Sequence, residues 1–223
     1  MAQNDGYRLL TLPFASETQL ESFLATTPVI ESTRQFEMGR PDEAIAILER
    51  ALSQFPKLWT LRHAMAAAQI QVGNLDTARA MLTELAEEQT EPPQFVWFAK
   101  ANLAYVYAKL KDATLKDDAD RLSKESMKLL RLPAIQGIRG WVLLWLEQPK
   151  SALKLFTAAY RMEPYLISRA ESACGAAIAA KLLGQDKLAN RWLEKAQSPK
   201  TLPPSFPEAA RVVKASDYTP SHQ

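Results

Sequence analysis

Cysteine, histidine and glycine are scarce in this chain of 223 residues, and each scarcity closes off a class of function. A single cysteine, Cys174, excludes an intramolecular disulfide framework and fits a reducing compartment. It sits in the run Ser172-Ala173-Cys174-Gly175-Ala176-Ala177, where small neighbours predict a buried structural thiol rather than a reactive one. The two histidines, His63 and His222, stand in no metal-ligand spacing, and Cys174 has no second sulfur to join it. No metal site and no cofactor is expected. With only 7 glycines there is no phosphate-cradling loop, and no serine stands in a nucleophile elbow. The acid pairs Glu87-Glu88 and Asp117-Asp118 read as solvated helix or turn surface, so the chain is expected not to be an enzyme. No uncharged apolar run approaches the roughly 20 residues of a membrane span. Met1 to Gly6 lack the basic-then-apolar pattern of a signal peptide, so a cytoplasmic location is expected.

What is present is helix-forming and apolar. Hydrophobic residues make up 47% of the chain, enough for a substantial core. Ala, Leu, Glu, Lys and Arg dominate, and these lose little on entering a helix. The net charge of +2 is too small to mark a nucleic-acid binder, but it is unevenly divided. Residues 1–99 carry 7 Lys+Arg against 13 Asp+Glu, a net of −6, and residues 100–223 carry 20 against 12, a net of +8. Two readings stay open: uneven solvation of exposed faces, or head-to-tail homo-oligomers and a bipolar partner.

Self-similarity organises the sequence. Gly39, Ala44, Leu48 and Ala51 recur 34 residues later as Gly73, Ala78, Leu82 and Leu85. Ala152, Phe156, Ala159 and Pro164 repeat the spacing of Ala44, Leu48, Ala51 and Pro56, and Gly184, Ala189, Leu193 and Ala196 return to the first pattern. Two antiparallel helices of three or four turns with their connections consume about 34 residues. The glycine ends the first helix in a left-handed conformation, and the alanine sits where two helices approach closely. The apolar residue four positions on fills the layer between repeats, and the proline ends the second helix.

The result is an all-α solenoid of about five helix-turn-helix repeats, at 25–58, 59–92, 93–132, 133–166 and 170–203. Short capping helices flank it on both sides. Residues 1–24 form an N-terminal segment and a helix over 17–26, opened by the capping box Ser16-Glu17-Thr18-Gln19, with Thr27-Pro28 starting the first repeat. Pro41 and Pro149 open second helices, where proline is tolerated. Ser205-Phe206-Pro207-Glu208 is a second capping box, before a helix ending near Ala215, and the tail from Ser216 reads as disordered. The third repeat is irregular: Phe95 to Leu110 is long and aromatic, and its turn is stretched by about three residues through Lys111 to Lys116.

These residues resemble the tetratricopeptide repeat family over about residues 25–203. The match is strongest at Gly39/Ala44/Leu48/Ala51/Pro56 and Gly140/Ala152/Phe156/Ala159/Pro164, and loosest in the third repeat. Arg139-Gly140 stands where the family usually has leucine-glycine, and Leu143 where it has tyrosine. The resemblance implies a right-handed superhelix whose first helices line a concave groove for a peptide or a helix. It implies a fold more firmly than a function.

Projecting the family's inward face onto this chain selects Phe36, His63, Ile70, Phe98, Asn102, Tyr105, Trp141, Leu144 and Trp145. Asn102 matches one asparagine of a clamp that holds chaperone carboxyl termini in part of the family. The partner positions hold His63, Ala67, Ala134 and Gly137, so the cations of that clamp are missing. The groove is otherwise apolar and aromatic, which suits an amphipathic helix or hydrophobic peptide anchored on Tyr105, Trp141 and Trp145. Packing of the same rings between repeats is the competing reading. The segment Tyr7 to Phe14 is apolar enough to lie along the solenoid or in the groove.

The chain is thus expected to be an adaptor or assembly factor that binds another protein. The alternatives are a non-catalytic subunit of a larger enzyme or secretion complex and, with less support, a helical-repeat RNA binder. Lys150, Lys154, Arg161 and Arg169 permit the last, but the groove lacks the cations an RNA backbone needs.

Overall fold

The computed structural model describes residues 17–88, 95–197 and 202–215, with side chains from residue 25 onward. The helices follow one another in pairs. α1 (Glu17–Glu37) pairs with α2 (Pro41–Gln54), α3 (Trp59–Gln71) with α4 (Leu75–Glu87), and α5 (Phe95–Leu110) with α6 (Lys116–Leu130). α7 (Pro133–Trp145) pairs with α8 (Pro149–Met162) and α9 (Leu166–Leu182) with α10 (Asp186–Ala196), before a final α11 (Phe206–Lys214). Among the described residues there is no strand. Each pair packs on the next, α2 on α3, α4 on α5, α6 on α7 and α8 on α9, which is the stacking of a solenoid.

The recurring small residues sit where their spacing requires. Ala44, Ala78, Ala152 and Ala189 are all wholly buried, and one turn later Leu48, Leu82, Phe156 and Leu193 fill the interior. The third pair obeys the same geometry with different chemistry. Ala119 is wholly buried, but Ser123 and Ser126 follow it where the other pairs have apolar residues. Their hydroxyls are satisfied: Ser123 Oγ donates to the Ala119 carbonyl at 2.7 Å and accepts from Arg139 Nη1 at 2.8 Å, and Ser126 Oγ donates to the Trp97 carbonyl at 3.2 Å. Arg139, 5% exposed, also pairs with Asp120 at 2.7 Å. Burial would raise the Asp120 pKa, but Lys124 and Arg139 hold it below the usual carboxylate range. Two serines and an arginine therefore replace a leucine layer, which is why the third repeat matches its neighbours poorly by sequence.

The turns within pairs are nearly identical. Gly39, Gly73 and Gly184 have φ of 79°, 83° and 70°. The next N–H in each case reaches back to the carbonyl five residues earlier at 2.9 Å, from Arg40 to Gln35, Asn74 to Gln69 and Gln185 to Ala180. In the fourth pair Glu147 takes the left-handed place at φ 58°, with Gln148 bonded to Leu143 in the same way. Lys111, at φ 56°, does so in the third, followed by a single 3-10 turn over Ala113–Leu115.

Two expected helix starts differ. α1 runs unbroken through Pro28, forgoing one backbone bond, so the separate helix over 17–26 and a repeat start at Thr27-Pro28 do not form. Ser205 precedes α11 without capping it, because its hydroxyl is engaged elsewhere. The Ser16 capping hydroxyl, the Tyr7–Phe14 segment and the tail from Ser216 lie outside the described residues.

Candidate functional site

The first helices of successive pairs, α1, α3, α5, α7 and α9, face one concave surface. Two adjoining cavities lie on it, sharing Ala67, Gln71 and Ser168. The larger, about 550 Å³, runs between α1, α3, α5 and the start of α9. The smaller, about 190 Å³, lies between α3, α5, α7 and α9, with Pro204 at its rim.

Phe36, His63 and Phe98 wall the larger cavity. Ile70, Asn102, Tyr105 and Trp141 line the smaller one. Asn102 Nδ2 and His63 Nε2 lie 3.0 Å apart, tying the two together. Leu144 and Trp145 border neither; they are half-buried against the core. Tyr105 and Trp141, the expected anchors, are only 7% and 6% exposed. Tyr105 meets Trp141 edge-on at 6.3 Å between centroids, and Trp141 meets Phe156 edge-on at 5.4 Å. These rings form the floor of the groove, and the accessible aromatic surface lies elsewhere.

It lies in a stack of which the inward projection selected His63 and Phe98 but left out Trp59 and Phe95. Trp59 is stacked on His63 at 4.8 Å and on Phe95 at 5.3 Å, with Phe98 edge-on to His63 at 6.3 Å. Trp59 is one helical turn before His63, so its spacing was a readable signal. The contribution of α9 had no such signal: Tyr165, Ile167 and Ser168 close the larger cavity because the solenoid curves until Glu37 Oε1 of α1 accepts from the Leu166 N–H at 3.1 Å.

Among the described residues the only charged side chains lining the two cavities are acidic, Glu37 at the larger and Glu171 at the smaller. Burial pushes His63 down to about 4, against a weaker opposing bond with the Phe98 backbone, so its imidazole is uncharged near neutrality. Among the described residues no lysine or arginine lines either cavity. Thr60 Oγ1 at the larger cavity and Trp141 Nε1 at the smaller are buried without a hydrogen-bond partner among the described residues.

Beneath the smaller cavity lies a polar network. Tyr105 OH donates to Glu171 Oε1 at 2.6 Å, Ser205 N–H donates to Glu171 Oε2 at 3.2 Å, and the Ser205 hydroxyl also binds Glu171. Lys109 Nζ, 3.4 Å from the Trp141 ring centroid, donates to Ser205 Oγ and to Glu208 at 3.2 Å. Burial, reinforced by Glu171, raises the Tyr105 pKa well above its ordinary value. Burial would raise Glu208 as well, but Lys109 and Lys111 hold it lower. The network joins α5, α9 and α11, so the final helix is held by charge as well as by its apolar face. Among the described residues no group of three or more His, Cys, Asp or Glu is placed to hold a metal.

Comparison with known proteins agrees with this geometry. The sequence profile of the tetratricopeptide repeat matches residues 35–96. The fold of the chain as a whole is a TPR-like helical solenoid. TTC0263, a thermophilic TPR protein of Thermus thermophilus, has a similar structure: TM-score 0.63 at 20% identity, over 84% of this chain and 97% of that one. The TPR-like repeats of a Podosopora anserina putative kinesin light chain give a TM-score of 0.50 at 18% identity, over 80% and 94% of the two chains. No curated protein matches the sequence. TPR folds generally mediate protein–protein interaction or scaffolding and are typically non-catalytic. Among the described residues no helix is long and apolar enough to cross a membrane.

Proposed function

We propose that this repeat protein is a non-catalytic adaptor or assembly factor, with residues 25–203 as its binding domain, that receives an apolar segment of another protein in the concave groove. The observation that carries this reading is the cavity of about 550 Å³ walled by Phe36, Trp59, His63, Phe95 and Phe98, with no cation among its described wall residues. An α-helix with side chains is about 10–12 Å across and 5.4 Å per turn, so about one turn would fill it. An extended, uncharged segment suits that volume better than an amphipathic helix does. Such a segment can run along both adjoining cavities, which share Ala67, Gln71 and Ser168.

Of the expected groove residues, Phe36, His63 and Phe98 would contact the segment, while Asn102, Ile70, Tyr105 and Trp141 would shape the floor. Leu144 and Trp145 support the floor from outside. The lack of cations counts against a carboxylate clamp and against an RNA backbone. The division of charge between the halves of the chain favours, as a second reading, a fixed place in a larger complex. A well-behaved monomer in size-exclusion chromatography would count against it.

Ala67 borders both cavities and is only half-buried, so Ala67→Trp obstructs the groove without deleting a core contact. After selection of binders from a library of uncharged apolar peptides, this variant is expected to lose at least about tenfold in affinity, about 1.4 kcal/mol, with its helical circular dichroism intact. Equal affinity of variant and wild type would remove the groove as the site.

A further inference from the structure

The connections between successive pairs carry a feature that, Tyr165 apart, groove binding does not use. Of the eight large hydrophobic residues exposed among those described, six lie at these connections or the adjoining helix ends. Leu129 and Leu132, at 56% and 42% exposed, flank the α6–α7 turn. Met162, Tyr165 and Leu166, at 66%, 57% and 46%, flank the α8–α9 turn, and Leu202 at 50% precedes α11. The turns within pairs, at the other edge, are glycine or charged and polar and, among the described residues, expose Met38 alone of this class.

Antiparallel pairing brings the two apolar turns together. A Cβ on Gly137, early in α7, would lie 3.9 Å from Ala159 Cβ, late in α8, and 3.0 Å from Ser172 Oγ, early in α9. The ends of α6 and α8 and the starts of α7 and α9 therefore share one edge.

The same edge carries unneutralised positive charge. Lys128, Arg131 and Arg161 are exposed, and none has a carboxylate within salt-bridge distance among the described residues. Between residues 126–134 and 158–169 the only acidic residue is Glu163, which is 3% exposed and turned inward to the Tyr165 N–H. Glu37, which accepts the Leu166 N–H, brings one carboxylate from α1 to the margin of this edge, against the three cations. Three cations of the basic C-terminal half thus stand beside its exposed apolar tips.

We propose that this edge seats on an anionic lipid surface, with Leu129, Leu132, Met162 and Leu166 entering the headgroup layer while Lys128, Arg131 and Arg161 meet the lipid phosphates. Charge complementarity selects an anionic surface, and the leucines and methionine exclude a nucleic-acid backbone, which gains nothing from them. A protein partner needs a continuous, shape-matched interface of about 1,000 Å². Four apolar side chains on two turns are too few for one, whereas a fluid lipid layer accepts each tip independently.

The test uses the full chain and sedimentation with vesicles of phosphatidylcholine alone or of equal parts phosphatidylcholine and phosphatidylglycerol. Wild type is expected to sediment with the mixed vesicles at low salt, to be released as salt rises, and to bind phosphatidylcholine weakly. At about 1 kcal/mol per basic residue, Arg131→Gln/Arg161→Gln should lower partitioning about thirtyfold. Leu132→Ser/Met162→Ser, at exposed positions outside the groove, should lower it with the charge unchanged; far-UV circular dichroism and melting verify that both variants fold. Ala67→Trp should bind vesicles like wild type, which separates this proposal from groove recognition. Failure of wild type to bind mixed vesicles, or retention of binding by both edge variants, overturns the proposal. Edge substitutions that change only the oligomeric state without vesicles also overturn it, and assign the edge to a second copy of the chain.

Discussion

Replacing Gly175 by alanine sets two free energies of opposite sign against each other. In an exposed helix interior the change would stabilise by about 1 kcal/mol, because glycine surrenders more backbone freedom on folding. Gly175, however, lies within α9, where a Cβ would come 2.2 Å from Phe156 Cζ and 2.4 Å from Cε1. The ring has nowhere to retreat. Phe156 is wholly buried, a Cβ on Gly140 across the interface would lie 2.7 Å from it, and Trp141 packs on it edge-on. Overpacking of this kind costs about 1–3 kcal/mol, and this clash sits at the upper end, so the net loss should be about 2 kcal/mol. For a chain of this length that lowers the melting temperature by about 4–8 °C. Urea unfolding followed by far-UV circular dichroism measures it. Phe156→Leu removes the offending ring, so its combination with Gly175→Ala should recover about 1–3 kcal/mol relative to additivity. A Gly175→Ala protein as stable as wild type, or strict additivity with Phe156→Leu, would refute the reasoning.

Four further outcomes are expected. The unfolded chain takes up a proton on His63 near pH 6.5 and the folded chain only near 4, so its stabilising contribution is full above about 6.5 and lost as pH falls toward 4. The size is on the order of 1–3 kcal/mol; urea midpoints across this range should flatten in His63→Gln, and NMR titration of the imidazole should place its pKa well below 6.5. Cys174 is wholly buried and burial pushes its thiol pKa up, so a thiol reagent should label it only after denaturation. Glu171→Gln removes the carboxylate that Tyr105 and Ser205 share; hydrogen exchange in 206–214 should accelerate about tenfold while α1 to α4 stay unchanged. Glu147 holds φ 58° with a Cβ, so Glu147→Gly should raise stability by about 1 kcal/mol in the same urea assay; a loss would contradict the turn geometry.

The separation of groove floor from groove wall has a direct consequence for experiments. Truncating Trp141 would remove support from Phe156, Tyr105 and Lys109 together, so lost binding would not distinguish a contact from a collapsed floor. Under the proposed groove recognition, substitutions at the wall positions Phe36 and Phe98 would weaken binding with less damage to the core, and Ala67→Trp would block the groove by addition.

The amino-acid sequence by itself determined the helical pairs, their small-residue register and the left-handed glycine turns. Each of these rests on interactions within one repeat or between adjacent ones, at fixed spacings of four, five or 34 residues. The resemblance to the tetratricopeptide repeat, projected onto the helices, selected Phe36, His63 and Phe98 for the inward face, and these three wall the larger cavity. Only the tertiary structure decided that Tyr105 and Trp141 are packed, that Ser123 and Arg139 replace a leucine layer, and that Glu37 meets Leu166 across 129 positions. The path of a solenoid is the sum of small rotations at every interface, each set by the volume and charge of facing side chains. A repeat pattern specifies that neighbours stack; the accumulated angle, and hence which distant helices close the groove, exists only once all the interfaces are assembled.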